Sequence, residues 1–260
     1  MHFRKFSGYA VYPLLATLLS FLPIPALRAQ NTSPPQQQQP GATVPPTDQS
    51  QNPSQQRAEV LREAQLRVNA RRRQRIRQII HDTYNHKYDI YFGGVYSRFR
   101  PGTSLQHVSE GGWDVGFVDY LHYLQGNLGV AADFRGYYGT AFIGPNPYSI
   151  FAPSISQYSF LGGPQYRFFE GQHWGWTAQI LGGMGHGNFG TGTNGLPPTL
   201  IDLYPDSTVF NATAGASVDY NVSLGLGLRL TPNILFTNFG GQLQENLGWT
   251  LATVYRFGKK

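Results

Sequence analysis

His107, Ser109, His186 and Asp206 have the side-chain types that hydrolytic chemistry uses. A base, a hydroxyl and an orienting carboxylate make a catalyst only when they are hydrogen-bonded in series. These four lie in two separate predicted loops, 100–111 and 186–207, and nothing in their spacing joins them. No catalytic residue is therefore assigned and an enzyme is not expected. With no cysteine there is no disulfide framework and no cysteine–zinc site. No metal-ligand spacing or phosphate-binding loop occurs either, so neither metal nor cofactor is expected. Seven other charges carry more information: Asp114, Asp133, Arg135, Arg167, Asp219, Arg229 and Arg256. Each stands on the polar side of an alternating run, four Arg against three Asp. Left unpaired in an interior, such groups cost several kcal/mol each. They read either as a paired network that replaces an apolar core or as the lining of a narrow solute path.

The elements that must hold these charges are strands. In 208–220, Phe210, Ala212, Ala214, Ala216, Val218 and Tyr220 alternate with Asn211, Thr213, Gly215, Ser217 and Asp219. A period of two sends successive side chains to opposite faces. Eight such segments are predicted, at 88–99, 112–122, 128–138, 156–168, 174–185, 208–220, 224–236 and 247–257. Most have the length that crosses a hydrocarbon core when tilted. Their connections alternate between short and long, as periplasmic turns and outer loops do. That asymmetry places both ends of the chain in the periplasm. Phe134, Tyr158, Phe160, Trp174, Trp176, Trp249, Tyr255 and Phe257 fall on the apolar parity and read as a lipid-facing aromatic girdle. A bulge is expected near Gly93-Gly94, where parity is ambiguous, and a bulge or strand end near Pro232. Composition agrees: 31 glycines, 14% aromatics and only 13% charged residues suit a barrel wall better than a soluble core. A mean hydropathy of −0.32 does not oppose this, because barrel strands hide their hydrophobicity in alternation.

The stretches Leu128–Tyr138, Tyr158–Tyr166, Gly215–Tyr220, Asn238–Gln242 and Val254–Gly258 make the chain resemble a known family. It is similar to the outer-membrane barrels related to the membrane domain of outer membrane protein A, and within them to barrel proteins common in Acidobacteria. The resemblance spans roughly 88–258. It implies an all-β fold, an eight-stranded antiparallel up-and-down transmembrane β-barrel inserted by the barrel-assembly machinery among outer-membrane lipids. It implies little about activity, since that family includes anchors, adhesins and narrow pores. Assembly signals of such barrels finish on an aromatic residue, whereas here Gly258, Lys259 and Lys260 follow Phe257.

Residues 1–29 read as a signal peptide: Arg4 and Lys5, then an apolar stretch from Val11 to Leu22, then Ala29 before Gln30. Residues 30–56, rich in Gln and Pro, read as a disordered linker. From 57 to 87 the chain reads as a basic, amphipathic periplasmic helix, with eight arginines between Arg57 and Arg77. It is either a solvated spacer or a contact for an anionic envelope component; nucleic acid is not expected of a secreted chain. The net charge of +6 belongs to these N-terminal parts, since from Tyr88 onward eight Lys and Arg face ten Asp and Glu. The basic balance therefore says nothing about selectivity inside a lumen.

Three roles survive: a structural, envelope-anchoring barrel with a largely filled polar lumen, a small passive channel, and a surface adhesin acting through its outer loops. A soluble β-sandwich is the remaining fold alternative. Phe142, Tyr148 and Phe151 in the second long loop are the best candidate contact surface, unless that loop folds over the barrel mouth. The third loop, from His186 to Ser207, shows no aromatic cluster before Tyr204.

Overall fold

The computed structural model describes residues 53–121 and 126–259. The expected signal peptide and the linker up to residue 52 lie outside them. One helix, α1 (Pro53–Tyr84), leads into eight strands: β1 (His86–Phe99), β2 (Val108–Tyr120), β3 (Leu128–Thr140), β4 (Ser154–Glu170), β5 (Trp174–Asn188), β6 (Ser207–Asn221), β7 (Leu226–Thr237) and β8 (Gln244–Lys259). Each strand pairs antiparallel with the next, and β8 pairs with β1, which closes a barrel. At the end nearest α1, short turns join β4 to β5 and β6 to β7, and the β2–β3 connection lies partly outside the described residues. At the other end are four loops, 100–107, 141–153, 189–206 and 238–243.

Side-chain parity explains the wall. Along β7, Leu226, Leu228, Leu230 and Ile234 are exposed, while Arg229, Thr231, Asn233 and Leu235 are buried. Leucines outside and polar groups inside reverse the pattern of a water-soluble barrel, whose interior holds the apolar side chains.

Several local features differ from the sequence reading. β2 begins at Val108, not at 112, so the first loop is shorter. β1 keeps one register against both neighbours through Gly93-Gly94, with no bulge. Glycine is needed there for a different reason: a Cβ on Gly93 would lie 2.1 Å from the Leu251 carbonyl oxygen, because β1 and β8 approach closely at the closing seam. The register shift occurs in β4 against β5 instead, between Arg167 and Phe169, and it leaves both Phe168 and Phe169 exposed. Pro232 lies inside β7 and ends nothing. Pairing with β6 is interrupted at residues 231–232, opposite 216–217, and then resumes in the same register, so the missing N–H interrupts the ladder without shifting it.

α1 is displaced from the expected 57–87: it ends at Tyr84, because 86–87 already belong to β1, and it starts at Pro53, a first-turn position where proline loses no hydrogen bond. It is not amphipathic in the expected sense, because arginines lie on all its sides and every described side chain from Ser54 to Arg75 is exposed. No described helix is long and apolar enough to cross a membrane. Only the last turns of α1 meet the barrel, ending on buried Thr83 and Tyr84. Removing residues 53–75 should therefore shift barrel stability by no more than about 0.5 kcal/mol in urea unfolding. Loss of folding would show that the helix is part of the barrel structure.

Candidate functional site

The lumen is the candidate site, and it is built from strand registers. Asp219 of β6 stands opposite Arg229 of β7, Asp114 of β2 opposite Arg135 of β3, and Asp89 of β1 opposite Arg256 of β8. Inward parity then points all six side chains into one narrow space, where Arg167 joins them. All seven charged residues singled out from sequence are buried.

They form two clusters. Nearer the short turns, Arg229 donates Nε and Nη2 to the Asp219 carboxylate at 2.7 and 2.9 Å, and Arg256 Nη2 donates to the same group at 2.9 Å. Asp89, fully buried, lies 3.4 Å from Arg167, 3.3 Å from Arg229 and 4.0 Å from Arg256. Nearer mid-barrel, Arg135 donates to Asp133 at 2.6 and 3.0 Å and lies 3.8 Å from Asp114. Tyr91 links the two clusters: its hydroxyl donates to Asp133 at 2.6 Å, and the Arg229 guanidinium sits 5.3 Å from its ring. Charged hydrogen bonds of this kind are short and strong, and burial strengthens them further. Val118, Tyr120, Leu161, Leu181 and Val254 are buried in the same lumen.

Parity alone did not single out two acids. Asp89 was missed because the presumed bulge at Gly93 broke the β1 alternation; carried through unbroken, that alternation places Asp89 with Tyr91 and Val95. Glu110 was missed because it lies before the expected start of β2. It is buried and accepts two hydrogen bonds from the Gln157 amide, at 2.9 and 3.0 Å.

Both ends of the lumen are covered by side chains. At the turn end the last residue of α1, Tyr84, enters the barrel. Its hydroxyl accepts from Asn221 at 2.8 Å and donates to the Trp174 carbonyl at 3.3 Å. The Arg167 guanidinium lies between the Tyr84 and Tyr120 rings, 4.8 and 4.1 Å from their centres. At the loop end a second apolar cluster gathers Phe99, Ile150, Ile155, Phe189, Ile201, Leu203, Tyr204 and Phe239 from the second, third and fourth loops and adjoining strands, and Leu105 of the first loop packs against it. Phe189 is the aromatic residue that the reading of the third loop overlooked. It packs 5.9 Å from Phe99 and 5.3 Å from Phe239, ring centre to ring centre. Hydrogen bonds tie the first loop to the third, with Tyr204 N–H on the Pro101 carbonyl and the Asp202 carboxylate accepting from the Thr103 hydroxyl and the Ser104 N–H. Gly240 at φ 68° leaves room for the Tyr204 ring, which a Cβ would meet at 2.4 Å.

On the outer wall Phe134, Tyr158, Phe160, Trp174, Trp176, Trp249 and Tyr255 are exposed, and Phe257 is half-buried between Tyr88 and Tyr255. Toward the loop end Tyr96 stacks on Trp249 and Tyr138 meets Tyr158. Toward the turn end Trp174 meets Tyr220 and Phe168 meets Trp176. Phe134 and Phe160, 4.5 Å apart, depart from this arrangement, since Phe134 lies midway along β3.

Three of the four hydrolase-type residues have separate partners. Ser109 Oγ bonds the Tyr96 hydroxyl at 2.9 Å and His186 bonds Thr208 at 2.9 Å. Asp206 accepts the N–H groups of Phe189 and Gly190, at 2.6 and 3.0 Å, and so fixes the start of the third loop. His107 lies in the first loop, where burial and then Arg100 and Arg98 lower its pKa. Among the described residues no group of three or more His, Cys, Asp or Glu could hold a metal ion.

No known protein family and no curated protein matches the sequence. Solved structures do match. One is Ail, the attachment invasion locus protein of Yersinia pestis, solved in complex with the heparin analogue sucrose octasulfate. It is 16% identical over 65% of this chain and 97% of its own, at TM-score 0.42. Neisserial surface protein A is 12% identical over 66% of this chain and 96% of its own, at TM-score 0.42. The outer membrane protein OprG from Pseudomonas aeruginosa is 10% identical over 67% of this chain and 98% of its own, at TM-score 0.40. The chain is thus similar to bacterial surface and outer-membrane proteins, while the lumen chemistry described above stands on its own side chains.

Proposed function

We propose that the chain is an integral outer-membrane β-barrel with a filled polar lumen and a structural, envelope-anchoring role. The inverted wall supports the membrane reading. A closed barrel that exposes leucines and aromatic rings while burying its charges has nothing to gain in water and suits hydrocarbon. In this reading the four loops face outward and α1 reaches into the periplasm. There Arg57 to Arg77 would meet an anionic envelope component, eight guanidinium groups on a helical rod about 30 Å long.

The observation that carries the filled-lumen reading is that the lumen charges neutralise one another inside while Tyr84 and the loop cluster cover the ends. A solute path needs charges free to meet a solute. The test is single-channel recording in planar bilayers of the mature chain beside residues 86–260. Silence from both supports the structural reading. Steady current from the mature chain would make it a porin instead. Current from the shorter form alone would make Tyr84 and its helix a stopper over an otherwise conducting lumen.

A second reading, adhesion through the second loop, has one observation in its favour. Asn146 folds that loop through its side-chain amide, which bonds the Ile150 and Gly144 carbonyls and accepts the Tyr148 N–H. The loop thereby buries Ile150 in the mouth cluster yet leaves Phe142 73% and Phe151 54% exposed.

A further inference from the structure

The wall is not closed equally at its two ends. β1 and β8 are paired from His86 opposite Lys259 up to Ser97 opposite Gly248. Beyond that rung each strand keeps only its other neighbour, β1 as far as Phe99 with β2, and β8 from Gln244 with β7. The closing seam therefore splits at the loop end, with residues 98–100 on one side and 244–247 on the other. A cavity of about 260 Å³ occupies the split, lined by Arg100, His107, Gln242 and Glu245 among others. A second, of about 200 Å³, adjoins it and is lined by Arg98, His107, Glu245 and Leu247. The floor is fixed, because Gln244 and Asn246 bond Thr237 and Gln244 also donates to the Phe239 carbonyl.

Two chemical features meet there. The split holds two exposed guanidiniums, Arg98 and Arg100, and among the described residues neither forms an ion pair. Directly below, Leu247, Trp249 and Leu251 run down the outer wall of β8 at alternate positions, all exposed. A soluble anion would use only the first feature. An amphiphile with an anionic head and an acyl chain would use both.

We propose that the split seam between β1 and β8 binds the phosphorylated headgroup of an outer-leaflet glycolipid. Arg98 and Arg100 hold its phosphate, Gln242 and Glu245 meet its sugar hydroxyls, and its acyl chain lies along Leu247 and Leu251. The site rests on the membrane reading above and gives it a specific lipid partner. Guanidinium suits a phosphate because its N–H groups match the oxygens in pairs, and the wall position suits an interface between headgroup and hydrocarbon.

The test is native mass spectrometry of the mature chain in detergent, offered lipid A or phosphatidylcholine. The R98A/R100A variant is run in parallel, and vesicle flotation and heat-modifiable mobility are measured on both proteins. The expected result is a retained lipid A, bound about tenfold more tightly than phosphatidylcholine, with that preference lost in the variant. Flotation and mobility should be unchanged by the substitutions. Equal retention of lipid A by the variant would overturn the site. Full displacement by equimolar glucosamine 1-phosphate would also overturn it, since the acyl chain would then contribute nothing. Failure of the wild-type protein to float would overturn the membrane reading and the site with it, an outcome separable from the loss of lipid preference alone.

Discussion

Replacing Asp219 by alanine should lower the stability of the refolded barrel by about 4 kcal/mol, read from urea unfolding in lipid vesicles. The carboxylate accepts three short hydrogen bonds, two from Arg229 and one from Arg256. Without it, Arg229 and Arg256 would keep Asp89, at 3.3 and 4.0 Å, which they share with Arg167; Arg167 also meets Glu170 at 3.4 Å. A buried guanidinium cannot shed its proton to escape, so the variant keeps an undercompensated charge in a buried space. Asp219→Asn keeps the shape and one acceptor oxygen and should lose roughly half as much. Arg135→Ala, in the other cluster, should cost about 3 kcal/mol by the same mechanism. Because Tyr91 touches both clusters, the double variant should depart from additivity, and a double-mutant cycle measures the coupling. If Asp219→Ala moves the midpoint by less than about 1 kcal/mol, the charges are solvated as surface pairs are, and the channel reading gains.

Replacing Phe99 by alanine should remove about 3 to 4 kcal/mol from the loop cluster and leave the wall standing. Phe99 is the last residue of β1, and its ring meets Phe189, Tyr204 and Phe239 at 5.9, 6.5 and 6.0 Å. These contacts join strand end, third loop and fourth loop. The cavity left by the ring cannot be closed by strands whose register is fixed below it. The expected result is local: resistant to proteinase K in wild-type proteoliposomes, the third loop becomes accessible to the same protease in the variant. Heat-modifiable mobility, which reports the closed barrel, should stay as in wild type. Global unfolding would mean that the mouth cluster and the wall are one cooperative unit. Unchanged protease resistance would mean that backbone bonds such as Tyr204 N–H to Pro101 hold the loops without the rings.

The number of strands, their direction and their inward and outward faces were legible in the sequence. A period of two is a local property, and side-chain parity follows from the backbone pleat wherever no residue is inserted. Thus Asp219 and Arg229 could be assigned to one side, and Trp174 and Trp176 to the other, without knowing which strands are neighbours. The same locality explains the errors. Gly93 looked like a place for a bulge because glycine removes the parity signal, yet the close approach of β8 is what requires it. Pro232 looked like a strand end because its missing N–H is visible in sequence and the surviving rungs on either side are not.

Partnership was decided by the tertiary structure. That Asp89 faces Arg256 depends on closure between the first and last strands. That Arg135 binds Asp133 more closely than Asp114 depends on rotamers in a crowded space. Tyr84 follows a solvated basic helix and carries no sequence signal of insertion, because its partners Asn221, Trp174 and Arg167 are brought to it only by the closed sheet. Likewise the four loops look separately polar and flexible, and only their convergence over one mouth gives Phe189 and Phe239 something to pack against. Alternation along the chain determined which face each residue takes; register and closure, which sum contacts across the whole barrel, decided what each residue meets there.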